Sequence, residues 1–299
     1  VVDLLSIRSR VLGGLAGAVM AAFPCLGYTF LYMFTASAYC LAILLAVLAV
    51  CLVKKGGRLR TLAGVVLLAL AMGIYQAYAA VAVALSLLVV LRACLHSRST
   101  LKGTARLGFR LAGFLAVGAA LYYGILQIFL AVKDLELLDY LGMSDAGSGY
   151  PVAQLPGLIL SAYKQVFVFF FWPNGSNSFT TPLLAGLDLL ALALAVACFL
   201  AIVFRRALWR EPWRIIGALV LAALLPLAVG FAQIIAPFSD ATPIMKYAYV
   251  LVYMAVLLAA DLGLSFLPRP RGGMAVSGVL ALCLAGVTLY SANINNLLY

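Results

Sequence analysis

The chain has 299 residues, of which 66% are hydrophobic and only 10% charged, and its mean hydropathy is +1.15. Soluble domains are about half apolar and a quarter charged, so this composition excludes a soluble enzyme, a disordered chain and a secreted disulfide scaffold. It fits an all-α polytopic membrane protein with room for about eight to ten spans of roughly 20 residues, and the net charge of +11 must be explained in that setting.

Nine apolar stretches follow one another, at roughly 11–27, 31–53, 61–77, 79–95, 111–132, 181–204, 215–235, 247–264 and 274–291. They are continuous runs rich in Leu and Ala rather than alternating with period two, which argues against a β-barrel. Backbone in hydrocarbon must satisfy its own hydrogen bonds, so each stretch is predicted to be a helix. The first is followed by a turn over Phe23–Tyr32. Residues 61–95 read either as two short spans turning at Tyr75-Gln76-Ala77-Tyr78 or as one long tilted helix; the hairpin is preferred because it keeps the basic links on its two sides together. After the fifth span comes an external loop over 133–180, whose first part holds Asp134, Glu136, Asp139 and Asp145 with Gly142, Gly147 and Gly149. Within that loop, Leu155–Trp172 carries Tyr163, four phenylalanines and Trp172 around Lys164 and Gln165, and is predicted to be an aromatic helix in the outer interface. The sixth span holds Asp188, the seventh holds Pro226 and ends at Gln233, Asp240 precedes Lys246 and Tyr247 at the start of the eighth, and Asp261 lies near its end. Asn293, Asn295 and Asn296 follow the ninth.

Seventeen of the 20 basic residues fall beside spans on one side, and only Lys133, Lys164 and Lys246 on the other. Basic loops stay in the cytoplasm, so the start of the chain is expected inside and its end outside. The positive charge therefore reads as topology rather than a nucleic-acid footprint. Short basic links suit anchoring to anionic lipid, while acids, length and polar variety collect outside, where function is expected.

Gln, Asn and Tyr offer the mixed donors and acceptors that sugar hydroxyls need, and a lysine at the outer surface suits a phosphate. Tyr75, Gln76, Tyr78 and Gln233 are candidate substrate-binding residues on this ground, with Lys164 and Lys246 for phosphate. For each, the competing reading is a group that only caps or solvates a helix end. Asp188 stands inside a span, where a bare carboxylate is costly; Lys164 or Lys246 is the expected counter-charge. Asp261 is expected to reach the inner interface or to pair with Arg269. The single histidine, His96, lies on the basic side, and the six cysteines are scattered and unpaired by spacing. No cofactor is implied, a divalent metal has no motif in its support, and neither a Walker loop nor a GxSxG elbow occurs.

Three elements carry a family resemblance: Phe23-Pro24 leading into Tyr28-Thr29-Phe30-Leu31-Tyr32-Met33-Phe34, the turn Gly73-Ile74-Tyr75-Gln76-Ala77-Tyr78, and the closing Ser291-Ala292-Asn293-Ile294-Asn295-Asn296. Together they resemble glucosyl transferase II, the Gtr-type serotype-converting O-antigen glucosyltransferases. The resemblance implies a GT-C-like enzyme of the bacterial inner membrane. Its implied partners are a polyprenyl-phosphate sugar donor, a lipid-linked glycan acceptor and membrane lipid. It also implies direct displacement at the anomeric carbon, with an external carboxylate as base.

Such enzymes carry essential acids in their first external loop, whereas Cys25–Phe30 has none. Within the chain the external candidates are Asp134, Asp139, Asp145 and Asp240. Opening at Val1 and closing at Tyr299 just after an apolar run, the chain reads as a piece of a longer protein, a single transmembrane domain over 1–299 with its catalytic acids expected before Val1. The competing reading from another class is a transporter or flippase for lipid-linked glycans, with Asp188 lining the path; that class favours internal repeats and interrupted helices.

Overall fold

The computed structural model describes residues 1–96, 99–135, 154–173, 179–235, 242–264 and 270–298, some of the last helix by backbone alone. Among them there is no strand, and every predicted apolar stretch falls on helix. The helices are α1 (Val2–Leu5), α2 (Arg10–Ala22), α3 (Pro24–Phe30), α4 (Met33–Lys55), α5 (Arg58–Ile74), α6 (Ala79–Leu95), α7 (Leu101–Lys133), α8 (Leu155–Phe171), α9 (Pro182–Arg205), α10 (Pro212–Val229), α11 (Phe231–Ile235), α12 (Val250–Leu264) and α13 (Pro270–Leu298). Short 3-10 turns precede α6 at Gln76–Tyr78 and α12 at Pro243–Tyr249. Six helices are long and apolar enough to cross a membrane, seven if α2 and α3 count as one bent span. Helix α8 and the apolar part of α13, Gly278–Ile294, are also apolar but shorter.

Local chemistry sets the helix ends. Ser9, Thr100 and Thr181 accept from the backbone N–H three residues on, each satisfying a donor that the first turn leaves orphaned. Proline opens α3, α8, α9 and α10, where its missing N–H costs nothing. The α4–α5 link is only Gly56-Gly57, both at positive φ, which lets two helices reverse direction with no intervening loop.

The expected external turn at Phe23–Tyr32 is mostly helix. Pro24 forces Phe23 out of helical conformation (φ −58°, ψ 128°), and the chain resumes as α3 bent by 43° from α2. Cys25, Gly27 and Thr29 are buried there, so most of α3 is core, while Phe30, Leu31 and Tyr32 at its end are exposed.

The hairpin over residues 61–95 is present. Lys54 Nζ donates to the Leu4 carbonyl, and Arg110 Nη2 donates to the Lys54 carbonyl at 3.0 Å. Arg206 donates to the Leu95 carbonyl. Arg214, itself buried, donates to the carbonyls of Cys94, His96 and Ser99 and pairs with Glu211 at 2.6 Å. The links on both sides of 61–95 thus lie at one end of the bundle, and the chain between them must turn back at Tyr75–Tyr78. Asp261 belongs to this basic end too. Arg269 is outside the described residues, and Asp261 Oδ1 instead accepts the backbone N–H groups of Arg8 and Ser9, 3.0 Å each, fixing the entry to α2.

Helices α9 and α12 run parallel with their backbones in close approach. A Cβ on Gly263 would lie 2.6 Å from Cys198 Cβ, and ten residues earlier on both helices Tyr253 donates to Asp188. Helix α6 and the α12 region are the most enclosed spans, whereas α7 presents most of its apolar side chains outward. Outward apolar surface on a span is what lipid requires.

Candidate active site

At the end opposite the basic links, aromatic side chains from five segments meet around Phe23. Because Pro24 breaks the helix there, Phe23 turns inward, 2% exposed, and its ring lies 5.8 Å from Phe169, 6.2 Å from Tyr247 and 6.3 Å from Tyr253. On one side Tyr247 leads through Tyr78 to Tyr75 and Tyr39, whose centroids are 4.9–6.4 Å apart. On the other, Phe169 and Phe170 pack on Tyr249 and Tyr253. Edge-to-face geometry predominates, the arrangement that aromatic quadrupoles favour.

Helix α8 is the aromatic helix expected from the sequence, with one face exposed at Leu155, Ile159, Leu160 and Phe167. Its other face enters the bundle. Ala162, Val166, Phe169 and Phe170 are buried, against α9, α10 and α11. Tyr163 donates to the Ala223 carbonyl three residues before Pro226, where the proline disturbs the helical ladder of α10.

Polar groups are set into this aromatic wall. Gln76 donates to the Tyr122 hydroxyl of α7. Tyr78 is fully buried, and its hydroxyl sits beside Thr29 without a hydrogen bond of good geometry. Gln233 accepts from Tyr249 at 3.2 Å, while its buried Nε2 has no partner among the described residues. Lys246, 9% exposed, has Cys25 as its electrostatic neighbour and neither a hydrogen bond nor a carboxylate within ion-pair distance among the described residues. An ammonium in such surroundings calls for an anion.

The expected lysine counter-charge for Asp188 is not there. Asp188 is 5% exposed and accepts from the Tyr253 hydroxyl at 2.8 Å, with Oδ2 buried and unpartnered among the described residues. Lys164 lies exposed on α8, and Lys246 is committed to the Cys25 side of the cluster. The structure therefore brings Tyr75, Gln76, Tyr78, Gln233 and Lys246 into one aromatic assembly and leaves Lys164 outside it. Asp134 is exposed, ending α7 in left-handed conformation. Asp139, Asp145 and Asp240 lie outside the described residues.

The turn is also deeper than a surface loop. Along α7, Tyr122 is 12 residues, about 18 Å, from Arg110 at the basic end, and 11 residues, about 16 Å, short of Lys133. The Gln76–Tyr122 bond thus places the turn well inside the length of α7.

A family model described as glucosyl transferase GtrII matches residues 1–259. The chain belongs to this family. The match spans α1 through most of α12 and so takes in the whole aromatic assembly. No curated protein and no solved structure matches the chain. Membership makes this protein a membrane glucosyltransferase. Sequence reasoning did not single out Phe23, Tyr39, Tyr249 and Tyr253 as members of this aromatic assembly. A signal was there for two of them, since Tyr249 and Tyr253 stand four residues apart and share a helix face.

Proposed function

We propose that this glucosyltransferase takes glucose from a polyprenyl-phosphate carrier and attaches it to a lipid-linked glycan such as O-antigen, on the periplasmic face of the bacterial inner membrane. The observation that carries the reading is Lys246. It is a nearly buried cation without a described counter-ion, set in a wall of tyrosines at the end of the bundle away from the basic links. A phosphodiester supplies one anionic group attached to one sugar, which matches one ammonium beside hydrogen-bonding tyrosine and amide groups.

In this reading Lys246 holds the carrier phosphate, and Tyr75, Gln76, Tyr78 and Gln233 contact the sugar or the carrier head. The acceptor hydroxyl attacks the anomeric carbon as the bond from that carbon to the phosphate oxygen breaks. The electron pair leaves on the phosphate, steadied by Lys246, and the hydroxyl proton passes to a carboxylate. Asp134, Asp139, Asp145 and Asp240 are the external candidates for that base, and Asp240, six residues before Lys246, is the nearest to it in sequence.

The test uses membranes holding the full-length gene product, labelled polyprenyl-phosphate glucose and acceptor glycan. Glucosylation should fall at least tenfold with Lys246→Ala and recover in part with Lys246→Arg, with the loss largely in KM for donor. Unchanged transfer by Lys246→Ala overturns the site. Movement of carrier without transfer to acceptor overturns the reaction and favours a transporter.

A further inference from the structure

At the basic end four cations from four different segments converge. Arg8 precedes α2, Lys54 and Arg92 lie in the last turns of α4 and α6, and Arg206 follows α9. Lys54 and Arg206 are held by the carbonyls of Leu4 and Leu95. A carbonyl orients a cation without neutralising it. Arg8 and Arg92 make no side-chain hydrogen bond or ion pair with the described residues, and Arg92 Nε is buried without a partner.

Electrostatic neighbourhood ties the four together: Arg92 acts on Lys54, Arg8 on Arg92, and Arg8 with Arg214 on Arg206. Burial, then Arg214 and Arg8, push the Arg206 guanidinium below its usual range. Opposing charge is scarce. Glu211 is taken by Arg214, and Asp261, the one carboxylate acting on Arg92, spends Oδ1 on the backbone N–H groups of Arg8 and Ser9.

We propose that Arg8, Lys54, Arg92 and Arg206 form a binding site for the phosphate headgroup of an anionic phospholipid at the basic end of the bundle. The site is distinct from the aromatic assembly and independent of the donor assigned to it. Four cations against one partly engaged carboxylate match a headgroup phosphate, and guanidinium groups bind phosphate oxygens in pairs. A lipid suits the position better than a free ion. The cluster stands where membrane-spanning helices end, and Val11, one residue into α2 and three beyond Arg8, is 61% exposed as apolar surface for an acyl chain. Basic recesses between helices on this side of a membrane hold anionic headgroups elsewhere by the same chemistry.

The experiment is native mass spectrometry of the purified full chain, exchanged into phosphatidylglycerol or phosphatidylcholine, with a parallel arm of inorganic phosphate in phosphatidylcholine. Phosphatidylglycerol should be retained and phosphatidylcholine lost. Retention should drop about fivefold with Arg92→Gln, in line with one basic group at a lipid surface, and hold with Arg92→Lys. Arg8→Gln keeps the backbone bonds to Asp261 and should give the same loss, which preserves the test if Arg92→Gln does not fold. Arg60→Gln, exposed and outside the cluster, should change nothing. An equal drop with Arg60→Gln reduces the effect to diffuse charge and overturns the site. Equal retention of both lipids overturns it as well, and inorganic phosphate retained in the phosphatidylcholine arm and lost with Arg92→Gln would assign the cluster to a free anion.

Discussion

The parallel contact of α9 with α12 gives the most direct test of the fold. In Gly263→Ala the new methyl would lie 2.6 Å from Cys198 Cβ and 3.0 Å from both Cys198 Cα and its carbonyl oxygen. Two of these three atoms are backbone, so no side-chain rotation relieves the clash. Carbon atoms at optimal contact stand about 3.5–4.0 Å apart, so the helices must separate by about 1 Å, and a gap of that size forfeits a quarter to a half of the dispersion across it. Overpacking of this kind costs about 1–3 kcal/mol. About 15 Å away along the same crossing, the 2.8 Å bond from Tyr253 to Asp188 is stretched by the same movement, adding about 1 kcal/mol. The sum is about 2–4 kcal/mol, read as a fall in Tm of the detergent-purified protein. Cys198→Gly removes the nearest of the three atoms, so the double variant should regain at least about 1 kcal/mol in a cycle that subtracts the helix cost of the second glycine. Gly263→Ala melting with the parent protein, or a cycle with no coupling, would refute the close approach.

Two further outcomes follow from particular contacts. Tyr253→Phe removes the one hydrogen bond described for Asp188 and should cost about 1–3 kcal/mol in chemical denaturation, with Asp188→Leu/Tyr253→Phe costing less than Tyr253→Phe alone because no polar group is then stranded; a worse double variant contradicts this pairing. In a background lacking the six native cysteines, an impermeant thiol reagent added to intact cells should label Asp134→Cys and spare Lys55→Cys; the reverse pattern inverts the proposed orientation.

Much of the fold was legible because lipid imposes long apolar runs and the basic links mark their ends. The turn at Tyr75–Tyr78 was readable from charge alone, since a single helix would have separated Lys54 from Arg110. What was not readable shares a physical cause. In a membrane both the buried and the lipid-facing sides of a helix are apolar, so the periodicity that separates core from surface in a soluble helix is lost. Phe169 and Phe170 therefore looked no different from Phe167, although two of the three enter the core and the third stays outside. Pro24 was visible, but whether it ends a span or bends one depends on what Phe23 meets on the far side of the bundle. Asp188 invited a charged partner, and the chain supplied a tyrosine 65 residues away on a parallel helix, which local sequence does not reveal. The candidate sugar contacts were recognised as polar groups at helix ends. Their gathering around one ring was not, since it rests on long-range packing.

The depth of the Gln76–Tyr122 bond bears on how glucose can be passed on without being wasted. For the proposed polyprenyl-phosphate donor, with Tyr122 some 16 Å along α7 from Lys133, a carrier head reaching Lys246 would leave bulk solvent while its prenyl tail stayed among the acyl chains. Water is then a scarce competitor for the anomeric carbon, and exclusion of water is what separates a transferase from a hydrolase. In that proposal an acceptor would have to bring its hydroxyl down to the sugar, and only a glycan able to reach that far would be glucosylated. Recessing the tyrosine wall would thus protect the donor from futile hydrolysis and measure the acceptor by its reach.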